Sequence, residues 1–195
     1  MGAGRDLEVQ VGGCDIGCRK LWRLPDDRAL LRSWFELDTD AEFVISVGAT
    51  GRGTADRLRD VLDEIGAHIL IDGVRMRPGG SQIVARLADG RVLLALPGNP
   101  LAAIAATLVT GRSVVRALTG RRPSPPLRGW ILDAAAPDRE LTRVVPAWQV
   151  DGGVWRTNGA VSTPHLADLL GAHALALLPP GVGRGSLVEI LPLPH

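Results

Sequence analysis

Short apolar runs alternate with amphipathic stretches along the first two thirds of the chain. Val92–Leu96 is a continuous apolar run ended by Pro97-Gly98, which predicts a buried strand. Asn99 then offers an N-cap and Pro100 a first helical position, where a missing N–H costs nothing. Ile104, Ala105, Leu108, Val115 and Leu118 continue on roughly one helical face, so the helix runs to Thr119-Gly120 with Gly111 inside it. Upstream, Pro25-Asp26-Asp27 opens a helix through Leu30, Leu31, Trp34 and Phe35. Ala41–Ser46 reads as a strand. Leu58, Val61, Leu62 and Ile65 mark an amphipathic helix closed by Gly66, and His68–Ile71 is again strand. Ile83–Arg86 and Arg91–Leu96 flank Ala88-Asp89-Gly90, a hairpin signal. Residues 1–13 are Gly-rich and expected to be poorly ordered, with a strand in Cys14–Leu24.

Arg121-Arg122-Pro123-Ser124-Pro125-Pro126 breaks this pattern, and a Pro-rich stretch of that kind makes a stiff linker. Beyond it the runs are short: Gly129–Asp133, Leu141–Pro146, Val154–Thr157, Ala174–Leu178 and Ser186–Leu191. Asp151-Gly152-Gly153 is a turn, and Thr163-Pro164 starts one short helix with Leu166, Leu169 and Leu170. The expected organisation is an α/β domain over residues 1–120, a linker over 121–127 and a small β-barrel-like, all-β domain over 128–195. The fold class is a doubly wound α/β sheet followed by that β module.

Composition narrows the function. Apolar content of 46% and charge of 22% suit a globular core, and the net charge is +1. There are five tryptophans, two phenylalanines and no tyrosine. An extended nucleic-acid surface needs clustered cations and stacking platforms, so that class is excluded. Cys14 and Cys18 fit neither a redox nor a zinc spacing and read as free thiols in a reducing cytoplasm. The start has no apolar signal core, and the stretch around Pro100–Val109 is short and Ala-rich, so no membrane segment is expected. His165 and His173 have no third ligand nearby in sequence and read as surface or helix-cap residues. Trp148 and Trp155 read as packing residues of the small module.

Two loops carry the candidate chemistry. The strand–Pro97-Gly98-Asn99–helix turn is the kind of place where backbone N–H groups and the helix dipole hold anions. Val47-Gly48-Ala49-Thr50-Gly51-Arg52-Gly53-Thr54-Ala55-Asp56 is a second glycine loop between a strand and a helix. Asp56 near that helix start reads either as charge–dipole stabilisation or as a carboxylate facing the anion site, where Mg2+ would lie between the two. Arg75 and Arg77 alternate with Met76, so both point the same way from an extended segment and suit phosphate contacts. A rival reading takes Gly48–Gly53 as the glycine loop of a dinucleotide-binding unit, with Asp72 as the ribose-binding acid of an NAD(P)-binding oxidoreductase.

Leu96-Pro97-Gly98-Asn99-Pro100 and its Ala-rich helix, preceded by Gly73-Val74-Arg75-Met76-Arg77-Pro78-Gly79-Gly80-Ser81-Gln82, resemble the molybdopterin-binding domain of the MoeA/gephyrin family. Arg77 matches the first lysine of that family's G-V-x-M-K-P-G-K-P, whereas Gly80 replaces the second. The earlier loop is similar to S-G-G-V-S-V-G-D-Y-D, with Gly48 and Gly53 matching glycines and Asp56 the last aspartate. Ala172–Pro179 resembles the family's A-D-G-L-x-x-L-P strand. The resemblance covers roughly residues 13–192 and implies a MoaB/Mog-like doubly wound domain, truncated at its first strand, then the family's C-terminal β domain. It also implies that a T-G-D-E-L loop and two further domains are missing.

By that resemblance the chain inserts molybdate into adenylylated molybdopterin with release of AMP, in cytoplasmic molybdenum cofactor biosynthesis. The implied transferase site consists of Gly48, Gly51, Gly53, Thr54, Arg77, Pro97, Gly98 and Asn99 for substrate, with Asp56 as the catalytic and Mg2+-binding carboxylate. A separate chain supplying the missing domains and a homodimer are the implied partners. A non-catalytic molybdopterin-binding or assembly module is the second reading.

Overall fold

The computed structural model describes residues 7–11, 14–18, 21–25, 27–37, 39–51, 57–133, 140–157 and 166–194. It divides into two compact units, Met1–Val74 with Ser81–Gly98, and Arg75–Gly80 with Asn99–His195.

The first unit opens with a hairpin of β1 (Leu7–Val11) and β2 (Cys14–Cys18), in register from Leu7↔Cys18 to Val11↔Cys14. This differs from the disorder expected over residues 1–13: two short alternating runs pair with each other. Cys14 and Cys18 lie four residues apart on one strand, about 13 Å between Cα atoms, beyond the reach of a disulfide.

Helix α1 (Arg28–Phe35) is capped by Asp27, whose carboxylate accepts from the Leu30 N–H at 2.9 Å. Strand β3 (Phe43–Val47), helix α2 (Leu58–Glu64) and strand β4 (His68–Asp72) follow. After the excursion through β5 (Met76–Arg77) come β6 (Ile83–Arg86) and β7 (Val92–Leu96), the expected hairpin, with Gly90 at φ +93° in its turn. The sheet order is β3-β7-β6-β4; β3 and β7 are parallel, whereas β6 runs antiparallel to both its neighbours.

Phe35 of α1 and Leu58, Val61 and Leu62 of α2 pack with Val44, Ile83, Ala85, Leu93 and Ala95, so both helices cover the same face. The helices' apolar stripes meet the sheet there, which is why the amphipathic stretches were readable. Arg91 ties the β6–β7 turn to α1: its Nε donates to Asp89 and its Nη2 to the Phe35 carbonyl.

The second unit begins, after β5, with α3 (Pro100–Ala106), a π-helical turn (Thr107–Gly111) and α4 (Arg112–Leu118). The sequence predicts one regular helix. The structure inserts the wider turn up to Gly111, and the Thr107 hydroxyl donates to the Ala103 carbonyl at 2.8 Å. Among the described residues this helical run alone is long and apolar enough to cross a membrane, by length and composition. Its Leu101, Ala102, Ala105, Ala106 and Val115 are buried in the protein. Residues 121–127 are exposed and irregular.

Strands β8 (Arg128–Ile131), β9 (Thr142–Asp151), β10 (Val154–Thr157), β11 (Ala174–Leu178) and β12 (Leu187–Pro192) then close a barrel in the order β10-β8-β12-β11-β9, with β9 returning to β10. Its interior holds Ile131, Val145, Ala147, Trp155, Ala174, Ala176, Leu178, Val188 and Ile190. Gly129 is needed because any β-carbon there would overlap the Trp155 ring, 2.2 Å away. A 3-10 turn (Leu166–Leu169) stands where the short helix is expected. Closure removes exposed edges from a sheet of short strands. β5 pairs in parallel with the start of β9, with Met76↔Thr142 and Arg77↔Arg143 as partners.

Candidate functional site

In the first unit the two glycine loops leave the C-terminal ends of adjacent parallel strands, β3 and β7. In an open α/β sheet this is the end where ligands bind. The register Val47↔Leu96 continues one step into the loops, because the Gly48 N–H donates to the Leu96 carbonyl at 2.9 Å. Gly48 has φ +103° and Ala49 φ 56°, so the chain turns sharply as soon as β3 ends. Glycine suits the first of these positions, since a side chain at such φ is strained. A β-carbon built on Gly98 would sit 3.6 Å from the Gly48 Cα, so the backbones of the two loops run in close approach. Pro97 is buried and Gly98 exposed.

Thr50 is the anchor of the first loop. It is 2% exposed, and its hydroxyl lies 3.1 Å from the Ser81 Oγ. Arg59, in the first turn of α2, reaches back to the loop: Nη1 donates to the Gly51 carbonyl at 2.8 Å and to the Thr50 carbonyl at 3.3 Å. Its Nε and Nη2 donate to Asp72 Oδ1 at 2.9 and 2.6 Å. Sequence reasoning missed Thr50, Arg59 and Ser81, because nothing local distinguishes an arginine flanking an amphipathic stripe from a solvated one.

The same contacts correct the dinucleotide-binding alternative. That unit requires the strands on either side of its helix to be neighbours, but β3 and β4 lie at opposite edges of the sheet with β7 and β6 between them. Asp72 is bound by the Arg59 guanidinium. The NAD(P) reading is therefore dropped.

In the second unit Asn99 caps α3 as expected, its Oδ1 accepting from the Ala102 N–H at 3.1 Å. Met76 is buried between exposed Arg75 and Arg77, so the alternation holds. Arg75 braces the neighbouring backbone: its Nη2 donates to the Glu140 carbonyl at 3.1 Å, and its own carbonyl accepts from the Thr142 N–H. Arg77 is presented on β5, followed by a cis peptide to Pro78. His173 accepts from the Gln149 N–H through Nδ1 at 3.0 Å, a structural cap at the barrel.

Gly53, Thr54, Asp56 and His165 lie outside the described residues. Among the described residues no three His, Cys, Asp or Glu side chains group together.

A family model described as "Probable molybdopterin binding domain" matches residues 12–117. A curated molybdopterin molybdenumtransferase from Nostoc sp. is 31% identical over 172 residues, covering 80% of this chain and 38% of the relative. One from Staphylococcus epidermidis is 25% identical over 167 residues, covering 78% of this chain and 38% of the relative. The chain thus spans about 38% of the length of these relatives.

Among solved structures, a molybdopterin biosynthesis MoeA protein from Pyrococcus horikoshii superposes with a TM-score of 0.62 at 16% identity, covering 87% of this chain and 41% of that one. A molybdenum cofactor biosynthesis protein from Pyrococcus furiosus gives 0.53 at 16% identity, covering 96% and 88%. These two likenesses concern the fold.

Proposed function

The chain belongs to the molybdopterin-binding domain family, and from that premise we propose that it acts in molybdenum cofactor biosynthesis. It binds adenylylated molybdopterin and takes part in the insertion of molybdate with release of AMP. The observation that carries the reading is the close pairing of the two glycine loops at the ends of β3 and β7, through Gly48 N–H to Leu96 O and the 3.6 Å approach of Gly98 to Gly48. Loops of this kind bring backbone N–H groups near an anion without interposed side chains.

The proposed substrate-binding residues are Gly48, Gly51, Gly53 and Thr54 on the first loop, Pro97, Gly98 and Asn99 on the second motif, and Arg77 from β5. Backbone donors orient the phosphate-bearing end, and Arg77 supplies a permanent positive charge. Fixed donors of this kind stabilise charge that develops on the phosphoanhydride as it breaks. Asp56 is the proposed catalytic carboxylate. Asp56 is also the proposed Mg2+ ligand, with the ligand's phosphates and water completing the ion's shell. A cytoplasmic setting and a homodimer are further parts of the proposal.

Because the relatives are longer, their remaining length is the proposed source of the T-G-D-E-L-type loop, on the same chain or another. Cofactor formation from adenylylated molybdopterin, molybdate and Mg2+ is the test. The 195-residue chain alone should turn over poorly, and a chain supplying the complementary domains should restore insertion. Full activity of the isolated chain contradicts the incompleteness, and binding without restoration leaves the non-catalytic module as the function.

The division at 121–127 is likewise a proposal; the compact units place residues 75–80 and 99–120 with the barrel. Brief trypsin digestion should cut first after Arg121, where the backbone is exposed and irregular; the bond after Arg122 precedes Pro123 and resists trypsin. First cleavage at Arg112 or Arg116 instead would contradict a linker at this position.

A further inference from the structure

Arg59 stands out among the side chains that the proposed reaction does not use. It lies behind the first glycine loop, with its contacts fully specified. Its three nitrogens are engaged in two directions: Nη1 on the Thr50 and Gly51 carbonyls, Nε and Nη2 on Asp72 Oδ1. Its side chain is 23% exposed and that of Asp72 40%. The carboxylate offsets the guanidinium charge, so Arg59 contributes geometry to the loop more than field.

The geometry has a definite consequence. In a trans peptide the C=O and the following N–H point in opposite directions. Drawing the Thr50 carbonyl toward Arg59 turns the Gly51 N–H away from it. On the same stretch Thr50 is pinned by Ser81, and Gly48 by the Leu96 carbonyl. The loop is thus held by the Gly48 N–H, the Thr50 hydroxyl and the Thr50 and Gly51 carbonyls, which leaves the Gly51 N–H turned away from Arg59.

We infer that Arg59 is a positioning residue for the ligand's phosphate: it fixes the end of the first glycine loop with the Thr50 and Gly51 carbonyls turned back and the Gly51 N–H turned out, and Asp72 fixes Arg59. This rests on the reading above that the loop receives the anionic end of molybdopterin. Lysine carries the same charge but lacks the planar fork that reaches two carbonyls and a carboxylate at once.

The test compares the full chain with its Arg59→Lys, Arg59→Gln and Asp72→Asn variants by calorimetric titration with molybdopterin and with the dephosphorylated pterin. Backbone amide spectra of each variant are recorded alongside. Both Arg59 variants should lose about tenfold in affinity for molybdopterin, and Asp72→Asn should lose less. Affinity for the dephosphorylated pterin should stay unchanged, and the Gly48, Ala49 and Gly51 amides should move while those of Leu93 and Ala95 stay.

Wild-type affinity in Arg59→Lys would mean that charge alone matters and overturns the inference. Equal loss for both pterins would show a merely structural effect and also overturns it. Should Arg59→Gln fail to fold, Asp72→Asn and Arg59→Lys carry the same comparison. If the unaltered chain does not bind molybdopterin, the functional reading fails by itself, and unmoved loop amides in the variants would separately overturn the role of Arg59.

Discussion

Gly79→Ala is expected to destabilise the protein by about 3 kcal/mol, the sum of backbone strain and overpacking. Gly79 has φ +98°, where an L-residue is strained, and its space is already taken. A β-carbon there would stand 2.8 Å from the Met76 Cε, 3.0 Å from the Ala102 carbonyl oxygen and 3.3 Å from the Ala106 nitrogen. The methionine end can move, but the two helix backbone atoms cannot do so without displacing α3. The glycine of the Arg-Pro-Gly-Gly turn therefore permits the turn and the helix to touch. Urea unfolding followed by circular dichroism measures the change. Gly152→Ala is the control, since its position has no neighbour within 4 Å, and should stay within about 0.5 kcal/mol of the parent. A Gly79→Ala variant as stable as the parent would contradict this close approach.

Asp56→Ala should cost about a hundredfold or more in molybdate insertion when the complementary domains are supplied, the scale seen when one transition-state-stabilising group is removed. The same change should alter stability by less than about 1 kcal/mol, because a carboxylate near a helix start contributes only modestly there. The combination distinguishes a site residue from a helix-start residue, for which neither rate nor stability would fall far. Cofactor formation from adenylylated molybdopterin gives the rate, and an unimpaired variant removes Asp56 from the site.

The local half of this fold was legible in the sequence. Asp27 and Asn99 cap the helices that their positions announce, and Gly90 turns the hairpin between β6 and β7. These signals are short-range, and one residue type suits each place. That the two glycine loops lie at neighbouring strand ends, those of β3 and β7, was expected with the family resemblance and not from a local signature; the place of β4 at the far edge, which decided against the dinucleotide reading, had no signature either. Nor could the pairing of β5 with β9 be read, since two residues of strand carry no periodicity. The π-helical turn before Arg112 was also hidden, because Gly111 in a helix is compatible with a regular turn.

In the candidate site, the motifs announced Gly48, Pro97, Gly98 and Asn99. The residues that hold the first loop, Thr50, Arg59 and Ser81, are assembled by tertiary structure from three separate segments.

Titration of molybdopterin into the purified chain, followed calorimetrically at fixed ionic strength, tests the central claim most directly. One saturable site of micromolar or tighter affinity is expected, weakened by Arg77→Ala through loss of the cationic contact. Absence of saturable binding to the folded chain would contradict the assignment of the paired glycine loops to the pterin phosphate.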